Sequence, residues 1–178
     1  MKSWRFTGTN EPLRLEELPE PSAGPGKVVI DVKAAGICHT DVGILTDPGW
    51  MTMLGQVPVT LGHEDAGVIS AVGDGVTDFK VGDRVAICPT TSAGCPGSSF
   101  DGGFGPKIVI GTEALVRIPD EVDFVNGAAA RCGHDILCGG GPPRWRQGGR
   151  QGRHHRTWRA WPNWRESGVS AWCGSVCG

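Results

Sequence analysis

The sequence predicts a mainly β protein, a compact antiparallel barrel or sandwich with few helices, followed by a tail that forms no domain. Short apolar runs rich in Val and Ile alternate with turns rich in Gly, Asp and Pro, which is typical of antiparallel β structure. The 29 glycines fit a turn-rich first part of the chain. Residues 122–130 carry the one segment that begins like a helix.

Six segments have the length and composition of strands. Residues 13–18 alternate in part, and Pro19 and Pro21 end them, so they predict an edge strand. Residues 27–34 are apolar and β-branched and predict a core strand. The other strands are predicted at residues 67–72, at 81–87, where a turn feeds the strand, at 107–110 and at 114–118.

The composition divides the chain into two parts. Its 178 residues leave room for one domain, and the net charge is -2. Residues 1–130 hold nine Lys and Arg against seventeen Asp and Glu, whereas residues 131–178 hold eight Arg against two acidic residues. We therefore predict a domain at 1–130 and a tail at 131–178. No stretch approaches the ~18 apolar residues of a membrane span, so we expect a cytoplasmic protein without membrane contact.

The tail, residues 131–178, lacks apolar periodicity and is predicted to be disordered. Its eight Arg and five Trp offer a competing interpretation, because such residues contact phosphates and stack on bases of single-stranded nucleic acid. His154 and His155 with Cys173 and Cys177 offer a second one, a metal site. No fold signature positions these contacts, so nucleic-acid binding is the minor interpretation.

Two motifs carry the chemistry. Residues 61–69 (LGHEDAGVI) place His63 and Glu64 side by side ahead of an apolar run, and residues 36–41 (GICHTD) place Cys38 at the end of another. Cys38 and His63 are 25 residues apart, too far for a zinc finger, but a catalytic zinc collects ligands from distant loops. Thiolate and imidazole suit zinc, and Glu64 offers an extra oxygen.

The residues after Cys38 suggest supporting roles. Asp41 is placed to hold the second ring nitrogen of His63, as carboxylates beside metal-bound histidines do. Thr40 offers a hydroxyl that passes a proton between a metal-bound oxygen and His39 or solvent. Taken singly, each residue has a plainer interpretation: Cys38 as a small buried side chain, His63 as a turn residue, and Asp41 as a helix cap or turn former.

The order of these motifs resembles that of the zinc-dependent medium-chain alcohol dehydrogenases. The resemblance covers residues 1–130, and its motifs are highly specific. It rests on residues 36–41, 61–67, 72–76 (VGDGV), 81–85 (VGDRV) and 101–104 (DGGF). The resemblance implies a GroES-like β-barrel domain of an oxidoreductase that transfers hydride between an alcohol or aldehyde and NAD(P).

The resemblance also assigns roles. It implies Cys38 and His63 as ligands of a catalytic Zn²⁺, with Glu64 as an alternative or neighbouring ligand. Thr40 is implied as the proton relay, His39 as the residue near the cofactor phosphates, and Asp41 as the residue that orients His63 from behind. A further protein ligand is expected near Arg131 or Cys132, and by ungapped register Cys132 falls there.

Two departures from the family matter. Only Cys88 and Cys95 lie where members with a structural zinc carry four cysteines, so we predict no such lobe. The Rossmann domain with its Gly-rich fingerprint is missing, so we expect a chain truncated before its cofactor domain and inactive alone. A zinc-binding or interaction module without catalysis is the alternative. Substrate, cofactor preference and oligomeric state are outside what these motifs determine.

We infer that a one-base frame change near residues 130–131 converted the sequence of the cofactor domain into the Arg- and Trp-rich sequence of the tail. Because tryptophan has the single codon TGG, reading one base later turns Trp158, Trp161 and Trp164 into glycines. Residues 154–165 then permit the string IIGLGGLGQIGA, which is a strand end followed by a dinucleotide-binding fingerprint. Sequencing the locus and transcript across residues 125–145 tests this hypothesis, and a next frame without the fingerprint contradicts it.

Overall fold

The computed structural model describes residues 1–89, 91 and 93–137, of which 131–137 are described by their backbone alone. Seven strands and two α-helices occur in this part of the chain. They are β1 Lys2–Arg5, β2 Arg14–Glu17, β3 Lys27–Gly36, α1 His39–Thr46, β4 Glu64–Val72, β5 Arg84–Ile87, β6 Lys107–Gly111, β7 Leu115–Arg117 and α2 Phe124–Leu137. Short 3₁₀ helices span Pro48–Met53 and Thr112–Ala114.

The strands form two antiparallel sheets. β1 pairs with β2, and the larger sheet has the order β6-β3-β4-β5-β7. The prediction of a mainly β, antiparallel protein with few helices is confirmed, and all six predicted strands are present as β2 to β7. The strand β1 was not predicted, since four residues with a charged residue at each end give too short a pattern.

The main core lies on one face of the larger sheet. Side chains from each of its five strands meet there with at most 9% exposure. Each such Val, Ile or Leu contributes roughly 1.5–3 kcal/mol through removal of its apolar surface from water. The cluster comprises Val28, Ile30, Ile69, Val85, Ile87, Ile108, Ile110, Ala114 and Leu115.

Helix α2 covers part of the sheet formed by β3, β4 and β5. Its Ala128 joins Ala66, Ala86, Ile118 and Val122 in a second buried cluster. The predicted helix start at 122–130 is confirmed, but the helix continues to Leu137, so the predicted boundary at residue 130 falls inside it. The backbone of residues 131–137 is helical, and the division into a domain at 1–130 and a disordered tail at 131–178 stays a prediction. The remaining tail predictions, for residues 138–178, lie outside the described residues.

Helix α1 was not predicted, although it carries three of the candidate site residues. Its eight residues contain Gly43 and show no clear apolar period, so the sequence gives little helical signal. Packing stabilises the helix instead, because Ile44 is buried in a third cluster together with Phe6, Val59 and Leu61. Helix formation here depends on tertiary contacts more than on intrinsic propensity. Within the described part of the chain, no helix has the length and apolar character needed to cross a bilayer.

Candidate metal centre

The pairing of β3 with β4 brings the two motifs together. The strands are antiparallel, and their register pairs Gly36, the last residue of β3, with Glu64, the first residue of β4. Cys38 follows the end of β3 by two residues, and His63 precedes the start of β4 by one. Residues separated by 25 positions in sequence are thus neighbours at one edge of the sheet.

The side chains of Cys38, His63 and Glu64 converge. One ligand atom from each residue lies within 4.8 Å of the other two. Ligands bound at 2.0–2.3 Å to a tetrahedral zinc are about 3.5 Å apart. The three ligand atoms would therefore have to move about 1 Å closer to one another to bind a zinc ion. Gly36 makes room for this arrangement, because a Cβ atom there would lie 2.3 Å from Glu64 Oε2.

Asp41 links helix α1 to His63. Its Oδ2 accepts a hydrogen bond from the Cys38 backbone N–H at 2.9 Å, which caps the helix. Its Oδ1 lies 3.7 Å from His63 Nδ1, a distance for charge interaction and longer than a hydrogen bond. Burial raises the pKa of Asp41, while the Cys38 N–H and the His63 ring oppose the rise. With Nδ1 facing Asp41, Nε2 is the nitrogen left for a ligand.

Thr40 and His39 occupy different positions relative to the three converging residues. The Thr40 Oγ1 atom lies 3.7 Å from Cys38 Sγ, so this hydroxyl borders the centre. His39 is exposed at the first position of α1 and does not belong to the group of converging ligand atoms. A position outside the centre agrees with the predicted role of His39 toward cofactor phosphates and leaves that role a prediction.

The segment before His63 is held by the 101–104 motif. Gly102 N–H donates to Thr60 O at 2.7 Å, Gly103 N–H to Gly62 O at 3.1 Å, and Phe104 N–H to Leu61 O at 2.9 Å. Glycine is required at 102 because a Cβ atom there would lie 1.9 Å from Gly62 O. The motif therefore acts as a backbone partner that fixes the approach of the chain to His63.

Arg5 reinforces the same segment from β1, and sequence reasoning missed it. It is 7% exposed, and its guanidinium donates to Thr60 Oγ1 at 3.1 Å, to Pro58 O at 2.7 Å and to Asp101 Oδ1. Asp101 Oδ1 also accepts the Thr60 backbone N–H at 2.9 Å. An Arg in an unpredicted strand gives no sequence signal for such a role.

Asp65 is the second residue that sequence reasoning missed. It follows Glu64 in β4 and is fully buried. Burial, together with the negative charges of Asp41 and Glu64, raises the pKa of Asp65 to about 7. A charged residue directly before the apolar run of residues 66–69 in β4 was the signal that could have identified it.

Cys88 and Cys95 do not belong to the group of converging ligand atoms. Burial raises the pKa of the Cys95 thiol to about 11. The backbone N–H of Cys88 donates to Ala114 O at 2.7 Å and thereby joins the end of β5 to the turn before β7. The expected absence of a four-cysteine structural zinc lobe stays a prediction.

Comparison with known proteins agrees with this architecture. Residues 24–120 match the alcohol dehydrogenase GroES-like domain family. The chain is 33% identical over 141 residues to an alcohol dehydrogenase of Geobacillus stearothermophilus, an alignment that covers 68% of this chain and 41% of the relative.

Solved structures show the same similarity. The 2R,3R-butanediol dehydrogenase from Bacillus subtilis superposes with a TM-score of 0.63 at 31% identity and covers 71% of this chain and 43% of that one. The cobalt- and zinc-bound thermostable alcohol dehydrogenase from Pyrobaculum aerophilum superposes with a TM-score of 0.64 at 28% identity, over 72% and 44% of the two chains. The chain thus spans about two fifths of the length of these relatives. Since the family match covers more than half of its residues, the chain belongs to the medium-chain alcohol dehydrogenases and carries their GroES-like domain.

Proposed function

We propose that this chain is the zinc-binding, substrate-side domain of an alcohol dehydrogenase. The observation that carries the proposal is the convergence of Cys38, His63 and Glu64 within 4.8 Å. These side chains offer one sulfur, one nitrogen and one oxygen, a donor set that suits Zn²⁺. Catalytic zinc sites have three protein ligands and one open position, and three residues leave that position open here.

Electrostatics supports the fit of a divalent cation. Asp41 and Asp65 are both buried beside the three converging residues, and Glu64 adds a third carboxylate. Burial and the charge of Glu64 raise the pKa of Asp41, and burial with the charges of Asp41 and Glu64 raises the pKa of Asp65, so the site carries more negative charge than its surroundings neutralise. A bound dication would compensate this negative charge and would favour the ionised form of the carboxyl groups around it.

Each residue has a role in the proposed reaction. Asp41, behind His63 Nδ1, holds the imidazole with Nε2 directed to the metal position. Thr40 moves the proton of the substrate hydroxyl toward His39 and solvent. His39, which is exposed at the start of α1, would contact the phosphates of NAD(P). When bound, zinc polarises the oxygen of the alcohol or aldehyde, and the nicotinamide exchanges the hydride.

The metal proposal is tested by competition with a chromogenic chelator. The metal-free chain, reduced and at pH 8, is titrated with Zn²⁺ and compared with Cys38→Ser and His63→Gln. We expect one site that either substitution weakens by more than about 100-fold, because losing a ligand costs more than losing an outer partner. Cys95→Ser is the matched control, since it removes a thiol outside the centre. Equal zinc affinity in His63→Gln and the unsubstituted chain would contradict the proposal.

Turnover is tested separately. Hydride transfer requires the nicotinamide to be held against the substrate, and the described residues contain no fold that binds a dinucleotide. We therefore propose that residues 1–178 alone have negligible dehydrogenase activity. Steady NADH or NADPH production from an alcohol by the purified chain would refute this statement. Zinc binding without cofactor binding would leave the alternative of a non-catalytic zinc-binding module.

A further inference from the structure

Helix α1 has Cys38 at its N-cap, so the position of this side chain depends on how the helix is held. Isolated helices shorter than ~12–15 residues are marginal in water, and α1 has eight residues, one of them a glycine. The last carbonyl groups of a helix have no partner within it, and the last turn of α1 contains no basic side chain to interact with them. The groups that bond these carbonyls therefore determine how firmly α1 is fixed.

A turn in the N-terminal part of the chain bonds two of these carbonyls. The hydroxyl of the half-buried Thr9 donates to Ile44 O at 3.1 Å. The backbone N–H of the next residue, Asn10, donates to Leu45 O at 2.8 Å. Asn10 has a φ of 63°, in the left-handed region that Asn adopts more readily than most residues. Residues 9 and 10 thus cap the C-terminal end of α1.

The same N-terminal stretch is also bonded to the segment that leads to His63. Phe6 N–H donates to Val59 O at 2.8 Å, and Val59 N–H donates to Phe6 O at 3.1 Å. The Phe6 ring packs with Ile44 of α1 in the third buried cluster. One short stretch, residues 6–10, therefore contacts both elements. It ties the helix that carries the thiol to the segment that ends at the imidazole.

We propose that Thr9 is a positioning residue of the metal centre, which acts through the carbonyl of Ile44 and not as a ligand. The inference rests on the proposed metal centre. With its C-terminal end capped, α1 keeps Cys38 beside His63 before an ion binds. Without the Thr9 hydroxyl, Ile44 O loses this donor and α1 frays more often. Zinc binding would then also have to order the helix, which lowers the apparent affinity by the fraction of chains with α1 in place.

The test compares Thr9→Val, which keeps the branched shape and removes the hydroxyl, with Thr9→Ser, which keeps the hydroxyl. Zinc affinity is measured by chelator competition, and the stability of the metal-free chain by urea unfolding. We expect Thr9→Val to weaken zinc binding about fivefold, the effect of one ordinary hydrogen bond, and Thr9→Ser to stay within about twofold of the unsubstituted chain. Thr77→Val is the matched control, because the Thr77 hydroxyl donates to the neighbouring Asp78 at 3.2 Å on the surface, and it should leave zinc affinity unchanged.

A second measurement needs no substitution. Because coupling between two sites is reciprocal, zinc should slow hydrogen exchange of the Asn10 amide more than that of the Gly26 amide, as followed by NMR. The Gly26 N–H donates to Asp74 O at 2.8 Å. It lies before the start of β3, whereas the metal centre lies beyond the other end of this strand. Exchange at Gly26 therefore reports the general stabilisation of the domain.

Several outcomes would overturn the inference and leave the metal centre standing. Unchanged zinc affinity in Thr9→Val, with easier unfolding in urea, would mean that Thr9 only stabilises the fold. Equal losses of affinity in Thr9→Val and Thr9→Ser would assign the effect to side-chain shape. Equal slowing of exchange at Asn10 and Gly26 would show that the turn is not coupled to the centre, even if Thr9→Val does not fold. Absence of zinc binding by the unsubstituted chain would overturn the proposed centre together with this inference.

Discussion

Replacement of Arg5 by Met is expected to lower the free energy of unfolding by about 2 kcal/mol. Met keeps much of the apolar volume of the Arg side chain and removes its charge and donors. Arg5 is buried, and its hydrogen bonds join β1 to the segment that leads to His63. The substitution therefore separates the strength of these bonds from the packing of the side chain.

The magnitude follows from the exposure of each acceptor. The side chain of Asp101 is 46% exposed, and Pro58 is an exposed residue. Water can therefore take the place of Arg5 at Asp101 Oδ1 and at Pro58 O. Thr60 Oγ1 keeps a partner in Ser3 Oγ at 3.0 Å. Three bonds of about 1 kcal/mol net each give about 3 kcal/mol. About 1 kcal/mol is regained, because the buried Arg5 Nε has no hydrogen-bond partner among the described residues, only an ion-pair contact with the half-exposed Glu16 at 3.9 Å, and Met leaves no such group.

Urea unfolding followed by circular dichroism measures the change, with chelator present to exclude metal effects. Arg14→Met is the control: Arg14 has a side chain with 63% exposure and pairs with Glu11 at 3.3 Å, so less than about 0.5 kcal/mol is expected. A change below about 0.5 kcal/mol for Arg5→Met would refute the assignment of Arg5 as a support of the 58–60 segment.

Three further predictions concern other parts of the domain. Gly36→Ala places a Cβ atom 2.3 Å from Glu64 Oε2, so we expect the Glu64 side chain to move and zinc affinity in chelator competition to fall about tenfold. Cys95, with its pKa raised by burial to about 11, should resist alkylation by iodoacetamide at pH 7.5 and react as the pH approaches 11, as followed by peptide mass spectrometry. Lys107→Met should remove a stabilisation that is present above about pH 4 and lost below it, because the hydrogen bond from Lys107 lowers the pKa of Asp31, and urea unfolding from pH 3 to 7 measures it.

Each of these predictions has a control or a contradicting result. Gly24→Ala introduces a Cβ atom with nothing within 4 Å, so it should leave zinc affinity unchanged. Alkylation of Cys95 at pH 7.5 as fast as that of a small-molecule thiol would contradict its burial. The Lys107 effect should stay below about 1 kcal/mol, since the Asp31 and Lys107 side chains are 37% and 28% exposed, and equal loss at pH 3 and pH 7 would refute it.

The larger sheet was predictable because the sequence pattern of its longer strands can be recognised without knowledge of the rest of the chain. β3 and β4 contain β-branched runs bounded by glycine turns, and such runs are buried on at least one face. α1 and β1 were not predictable, because each is short and forms through contacts made by distant residues. Ile44 of α1, for example, is buried by Phe6 and Val59, which no local pattern relates to it.

The candidate site could be predicted only as a set of residue types. The motifs indicated Cys38, His63 and Glu64, and the register of β3 with β4 brings them together. The side chains that surround those residues could not be predicted from the sequence. The hydrogen bonds of Arg5 and the burial of Asp65 depend on how the 58–62 and 101–104 segments meet, which is set by tertiary structure.

An ion bound at the proposed metal centre would act as a reversible crosslink, because the register of β3 with β4 brings Cys38 and His63 to the same edge of the sheet. An ion held by Cys38 and His63 would close the loop of residues 39–62, which contains α1 and the 3₁₀ helix Pro48–Met53. Closing a loop of this size restricts the unfolded chain by about 3 kcal/mol, as a disulfide would. Metal loss would then loosen this loop selectively while the β-branched core of the sheet persists. Proteolytic sensitivity confined to residues 39–62 would be the sign of a domain that has lost its ion.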